Sequence, residues 1–295
     1  MTEDGDFPGE DLPQIISKRY NDLTKSEKRI ADYLRKNQDE CAFLSAGELA
    51  ARLDLSEATL VRFARTLGFA SYPAMREILQ RAFRSRVTHS VRLRGRLEEL
   101  RESGDFFERL VISEMDYMTQ ALSTVDRESL EQATELLRTR KKVFVYGVGP
   151  SISLVDLMEI RLGRFGRQVV TLTTAGREIL EPLILMNDQD LLFVICFFDV
   201  SPTLQFVLDY ANEVHCPVIM LTDTLGSMIG NQAEVVLAAR RGPVSEFHSL
   251  VVPMTIINAL LLMLASEDPD EVTSHLDKLD QFRERLKNLN KSSLS

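Results

Sequence analysis

"VFVYGVGPSISLVDLM", residues 143–158, decides the fold of this chain. Val143 to Tyr146 run without a polar interruption into Gly147-Val148-Gly149, and a helical stretch begins near Ser151. An apolar run of this length that does not alternate suits a strand buried on both faces. Four more such runs follow, QVVTL (168–172), LLFVI (191–195), PVIML (217–221) and AEVVLA (233–238), each separated by a helical stretch. Strands alternating with helices predict a doubly wound, parallel α/β domain with right-handed crossovers. A helical segment over 105–139 precedes it. After Pro253, "MTIINALLLMLA" reads as a buried helix. Beyond Pro269, Val272, Leu276, Leu279, Phe282, Leu286 and Leu289 recur at steps of three and four, so the tail is an amphipathic helix. Its apolar side either packs on its own domain or meets a second copy.

The glycine turn at 147–149 admits two readings. Exposed N–H groups at the start of the following helix favour an anion, phosphate above all. A dinucleotide site would need a third glycine, but position 152 is Ile, and no acid closes the second strand at VVTLTTAG. We therefore expect no nicotinamide cofactor, and no other cofactor or metal. Cys41, Cys196 and Cys216 and the four histidines form no metal or disulfide pattern.

Upstream of residue 105 the chemistry is different. The net charge of −9 argues against a nucleic-acid binder only if it is averaged over the chain. Residues 12–97 carry 17 Lys plus Arg against 9 Asp plus Glu, a local +8 on an otherwise acidic protein. Within that basic third, "ELAARLDLSEATLVRFARTLGF" (48–69) reads as two helices around a short turn. Leu49, Ala50 and Leu53 share one face of the first helix, and Leu60, Phe63 and Leu67 form the inward stripe of the second. Asp54 occupies the place where the turn needs positive φ, and Ser56 is the expected N-cap. Ser56, Glu57, Thr59, Arg62 and Arg65 are the candidate DNA-contacting residues, on a helix suited to the major groove. A plain helical hairpin with a solvated face is the alternative.

"LTKSEKRIADYLRKN…SAGELAARLDLSEATLVRFARTLGFASYPAMREIL" resembles the N-terminal domain of RpiR-type bacterial transcription regulators. The resemblance implies a C-terminal SIS (sugar isomerase) domain, a five-stranded parallel α/β sandwich that senses phosphosugars. The fold class expected is thus multidomain, an all-α helix-turn-helix domain plus a SIS-type sandwich. The expected layout is an acidic leader (1–11), a DNA-binding domain (12–85), a linker (86–104), a sensing domain (105–268) and a C-terminal helix (269–295). The partners implied are a double-stranded DNA operator, a small-molecule effector and further copies of the chain, as a homodimer or homotetramer. No apolar run nears 18 residues and the start lacks a signal pattern, so a cytoplasmic protein with no membrane partner is expected.

The resemblance also marks ligand residues. Gly149 and Ser151 stand in the first phosphosugar loop. The second, usually Ser-x-Ser-Gly-x-Thr, aligns with "CFFDVS", so Cys196 and Phe198 replace the serines, Asp199 the glycine and Ser201 the threonine. Only Ser201 keeps a hydroxyl, and Asp199 would set a negative charge near a phosphate unless a cation offsets it. Arg177, Arg240 and Arg241 are the candidate offsets, and Glu246 and His248 lie before the last long helix, in a region that SIS domains bring near the ligand. Three functions stay open: a ligand-responsive DNA-binding regulator, a ligand-free regulator whose altered SIS domain only dimerises, and a sugar-phosphate isomerase with Glu246 or His248 as base.

Overall fold

The structure is a computed structural model. It describes residues 12–37, 41–42, 44–86, 90, 93–94, 96–97, 105–140, 142–174, 176–197, 200–223, 232–239, 241 and 248–292. Contacts divide the chain into two units, residues 1–109 with 243–248, and residues 110–242 with 249–295.

The first unit is helical: α1 (Leu12–Arg19), α2 (Lys25–Lys36), α3 (Ala46–Leu53), α4 (Glu57–Thr66) and α5 (Tyr72–Arg86). Local sequence sets the boundaries. Thr24 and Ser45 each accept from the backbone N–H three residues on, and Glu27 and Glu48 reach back to their N–H groups, so α2 and α3 open on full capping boxes. Ile30, Leu34, Leu49, Leu60, Phe63, Leu67 and Met75 are fully buried and form the core from facing helix stripes.

In the second unit, α6 (Phe106–Thr124), which spans the division, and α7 (Arg127–Thr139) precede the sheet. The helical segment expected over 105–139 is thus broken in two. Asp126 caps α7 by accepting from the Ser129 N–H, and Val125 is buried at the break. The remaining elements are β1 (Lys142–Gly147), α8 (Ile152–Arg164), β2 (Gln168–Leu172), α9 (Leu180–Leu183), β3 (Leu191–Ile195), α10 (Pro202–Glu213), β4 (Val218–Thr222), β5 (Val235–Ala238), α11 (Val251–Glu267) and α12 (Pro269–Ser292).

All five strands are parallel, in the order β2-β1-β3-β4-β5. β1 and β3 are buried along nearly their whole length, which accounts for their unbroken apolar runs. One face packs against α7, α8 and α11, with Phe193, Ile195, Leu221 and Leu260 at its centre. The other packs against α9 and α10, around Tyr146, Val194, Leu204 and Met220. Among the described residues no single helix is long and apolar enough to cross a membrane.

Candidate DNA interface and ligand crevice

In the first unit the turn between α3 and α4 is built as the sequence predicts. Asp54 adopts φ 51° and ψ 53°, and its backbone N–H bonds the Ala50 and Ala51 carbonyls. Ala50, 3 % exposed, lets the two helices approach. Ser56 stands at the N-cap position of α4 but makes no side-chain cap. Its hydroxyl instead meets the Thr59 hydroxyl at 2.8 Å. Arg62 donates to that same Thr59 Oγ1 at 3.3 Å. Ser56, Glu57, Arg62 and Arg65 are exposed and Thr59 is half-buried, so the five residues lie on the side of α4 away from Leu60, Phe63 and Ala64. Ser56, Thr59 and Arg62 form one hydrogen-bonded row on that side.

Glu27 is a residue that sequence reading missed. It reaches from α2 to accept from Thr66 Oγ1 on α4 at 2.8 Å, while also closing the Thr24 capping box. Burial pushes its carboxyl up. The hydrogen bonds from Thr24 and Thr66 and the charge of Arg62 outweigh that and hold it below the usual carboxylate range. The local +8 also overstates the free positive charge. Arg19 donates to the Thr66 carbonyl and Arg29 to the Leu53 carbonyl, satisfying the ends of α4 and α3, and Arg76 is buried.

In the second unit the strand order reverses direction between β1 and β3. In open α/β sheets the crevice beyond the carboxyl ends of the strands at such a switch point is where ligands bind. The turn after β1 and the segment after β3 flank it. Gly147 has no room for a side chain, since a Cβ there would lie 2.7 Å from Val155 Cγ2. Gly149 adopts φ +59° in open space. Ser151, 7 % exposed, ends a short 3₁₀ turn at the head of α8 and makes no side-chain cap. Ser201 heads α10, and its hydroxyl accepts from the Leu204 N–H at 3.1 Å. Burial pushes the Tyr146 phenol up, against a smaller downward influence of Ser201.

Cys196 is buried at the end of β3, with its N–H on the Leu221 carbonyl at 3.1 Å. Beside it, Phe197 packs against the core face that holds Ile195 and carries the Arg241 guanidinium 3.8 Å above its ring. Arg241 pairs with Asp223 at 2.7 Å, both side chains 8 % exposed. Burial lowers the Arg241 pKa, against the upward pull of Asp223. Of the cations expected to offset charge in this region, Arg241 thus already holds an acid. Thr222, at the end of β4, has a fully buried hydroxyl with no hydrogen-bond partner among the described residues.

Phe198, Asp199, Arg240 and Glu246 lie outside the described residues. His248 is half-buried and is grouped with the first unit. Ser249 donates to Glu114 at 2.6 Å and accepts from the Val251 N–H at the start of α11. Among the described residues no group of three or more His, Cys, Asp and Glu stands close enough to hold a metal ion.

Two family models match the chain: a helix-turn-helix domain of the rpiR family over residues 11–86, and a SIS domain over residues 136–263. An HTH-type transcriptional regulator of Haemophilus influenzae is 26 % identical over 226 residues, covering 75 % of this chain and 77 % of that protein. Among solved structures, the Vibrio vulnificus NanR protein complexed with ManNAc-6P aligns at a TM-score of 0.63 and 21 % identity, over 94 % of this chain and 99 % of its own. The sugar isomerase domain of an RpiR transcription factor from Sphaerobacter thermophilus aligns at a TM-score of 0.54 and 24 % identity, over 58 % of this chain and 96 % of its own.

Proposed function

Because this chain joins an rpiR-family helix-turn-helix domain to a SIS domain, we propose that it is a DNA-binding transcription regulator whose SIS domain senses a small metabolite, a sugar phosphate or a related carbohydrate. The observation that carries the DNA reading is α4, which buries Leu60, Phe63 and Ala64 and leaves Arg62 and Arg65 exposed on the opposite side. Ser56, Glu57, Thr59, Arg62 and Arg65 contact a double-stranded operator, the arginines on phosphate or guanine. The protein works in the cytoplasm as a homodimer or homotetramer, and an isologous dimer reads a pseudo-palindromic site.

The effector occupies the crevice at the β1/β3 switch point, against Gly149, Ser151, Cys196, Asp199 and Ser201. NanR, complexed with ManNAc-6P, supports a phosphosugar as the class of ligand. Effector and operator each change the other's affinity by the same factor. The name of the Haemophilus relative favours a regulator over an isomerase, and no catalytic residue is assigned.

Binding to the chain's own upstream DNA, measured across a salt series, tests the reading. Changing Arg62 and Arg65 together to Ala should weaken sequence-specific binding by about 2–6 kcal/mol if both read bases. If both hold phosphates, the slope of log K against log salt should fall by about 2. Unchanged affinity and slope would remove these residues from the interface.

A further inference from the structure

The two exposed arginines of α4 stand in different surroundings. We propose that Arg62 reads a guanine in the operator and Arg65 holds the phosphate backbone, with Thr59 and Glu27 as positioning residues for Arg62. This division rests on the reading that α4 lies in the major groove.

α4 has ten residues, of which Arg62 is the sixth and Arg65 the ninth. A recognition helix meets base edges with its N-terminal residues. Arg62 leans toward that end. Its Nη2 donates to Thr59 Oγ1 at 3.3 Å, and the Thr59 hydroxyl is in turn 2.8 Å from Ser56 Oγ. A guanidinium already drawn toward the N-terminus gives up less freedom on meeting a base. Guanine O6 and N7 fit its planar fork. Arg65 lies in the last turn of α4 and has no side-chain partner among the described residues. A loosely held cation suits phosphate, where charge matters more than direction.

The acid beside Arg62 separates the two arginines further. Thr24–Glu27 and Ser45–Glu48 are capping boxes of the same pattern, yet Glu48 is exposed and Glu27 is buried. Capping therefore does not account for the burial of Glu27. Its Oε1 accepts from Thr66 Oγ1 at 2.8 Å, and that hydroxyl lies 3.1 Å from the Arg62 carbonyl. A carboxylate is thus fixed against the turn that follows Arg62, and the two charges act on one another. A fixed negative charge there opposes a phosphate on Arg62. It does not oppose guanine, whose O6 and N7 are uncharged acceptors.

The test measures the full-length protein on two duplexes, its own upstream DNA and an unrelated sequence of equal length, across a salt series. Arg62→Ala should weaken binding to the upstream DNA about 5- to 150-fold and leave the unrelated duplex within about twofold. Arg65→Ala should weaken both duplexes by the same factor and lower the slope of log K against log salt by about 1. Glu27→Gln should tighten binding to the unrelated duplex and steepen its slope, because Arg62 is then free to take a phosphate. Loss of a merely structural brace would not tighten any complex. Thr59→Val should lower the preference for the upstream DNA. Neither the Glu27→Gln gain nor the Thr59→Val loss should persist once Arg62 is changed to Ala. Equal losses on both duplexes from Arg62→Ala, or a preference carried by Arg65, overturn the division of roles. So does a Glu27→Gln effect that is absent or independent of Arg62, or a Thr59→Val effect of either kind. If neither arginine variant changes affinity or slope on either duplex, α4 is not the interface, and the reading beneath the proposal fails with it.

Discussion

Two serines head two helices on either side of the same crevice, and they are not equivalent. Ser201 caps α10 through the Leu204 N–H, so its hydroxyl is engaged by the fold. Ser151 heads α8 with neither a cap nor a side-chain partner among the described residues. The difference separates a hydroxyl that its helix uses as a cap from one that its helix does not. The same contrast separates the arginines. Arg62 and Arg65 stand exposed on α4, whereas Arg241 is buried, paired with Asp223 and stacked on Phe197. Arg241 is therefore held by the protein's own groups, while Arg62 and Arg65 keep a face to solvent.

The largest expected effect comes from breaking the buried Asp223–Arg241 pair. Asp223→Ala leaves Arg241 buried without its counter-charge, a change that typically destabilises by about 3–5 kcal/mol. Chemical denaturation should register that loss. The double change Asp223→Leu with Arg241→Met removes both charges together and should recover most of it. If the single change costs less than about 1 kcal/mol, Arg241 finds solvent or another acid and is not held as described.

The turn after β1 breaks differently at its two glycines. Gly147→Ala forces a Cβ against Val155 Cγ2 and should cost about 1–3 kcal/mol, relieved by Val155→Ala. Gly149→Ala meets no neighbour within 4 Å, so its cost, about 1–2 kcal/mol, comes from the positive φ and no second substitution relieves it. Equal relief of both by Val155→Ala in thermal unfolding would contradict this assignment.

Much of this arrangement is legible in the sequence, and what is not has a common cause. The runs at 168–172 and 191–195 match β2 and β3, and 143–147 lies within β1, because strands buried on both faces admit few polar residues. β4 and β5 start one and two residues later than their apolar runs, since Pro217 and the Ala233-Glu234 pair precede the ladder. Asp54 announces its own left-handed turn. The Asp223–Arg241 pair over Phe197 and the Glu27–Thr66 brace announce nothing. Their partners are 18 and 39 residues apart, and only the packing of whole elements brings them together. Ser56 fails as a cap for a related reason. The Thr59 hydroxyl one turn on competes for its oxygen, and spacing alone cannot rank the two bonds.

The smallest effect on stability is also the sharpest test of the two serines. Ser201→Ala removes a cap and should cost about 1 kcal/mol in thermal or denaturant unfolding. Ser151→Ala removes no cap and should leave stability within about 0.5 kcal/mol of the parent. Calorimetric titration with a phosphosugar panel should reverse the order. With Ser151 on the effector as proposed, Ser151→Ala loses a ligand hydroxyl, while Ser201→Ala loses one that already caps α10. A hydrogen bond to a charged phosphate contributes about 1.5–3 kcal/mol, so the Ser151 variant should bind roughly ten- to a hundredfold more weakly. If instead Ser201→Ala abolishes binding and Ser151→Ala does not, the cap at α10 must open to admit the ligand. The segment after β3 would then be the working phosphate loop despite its substituted residues.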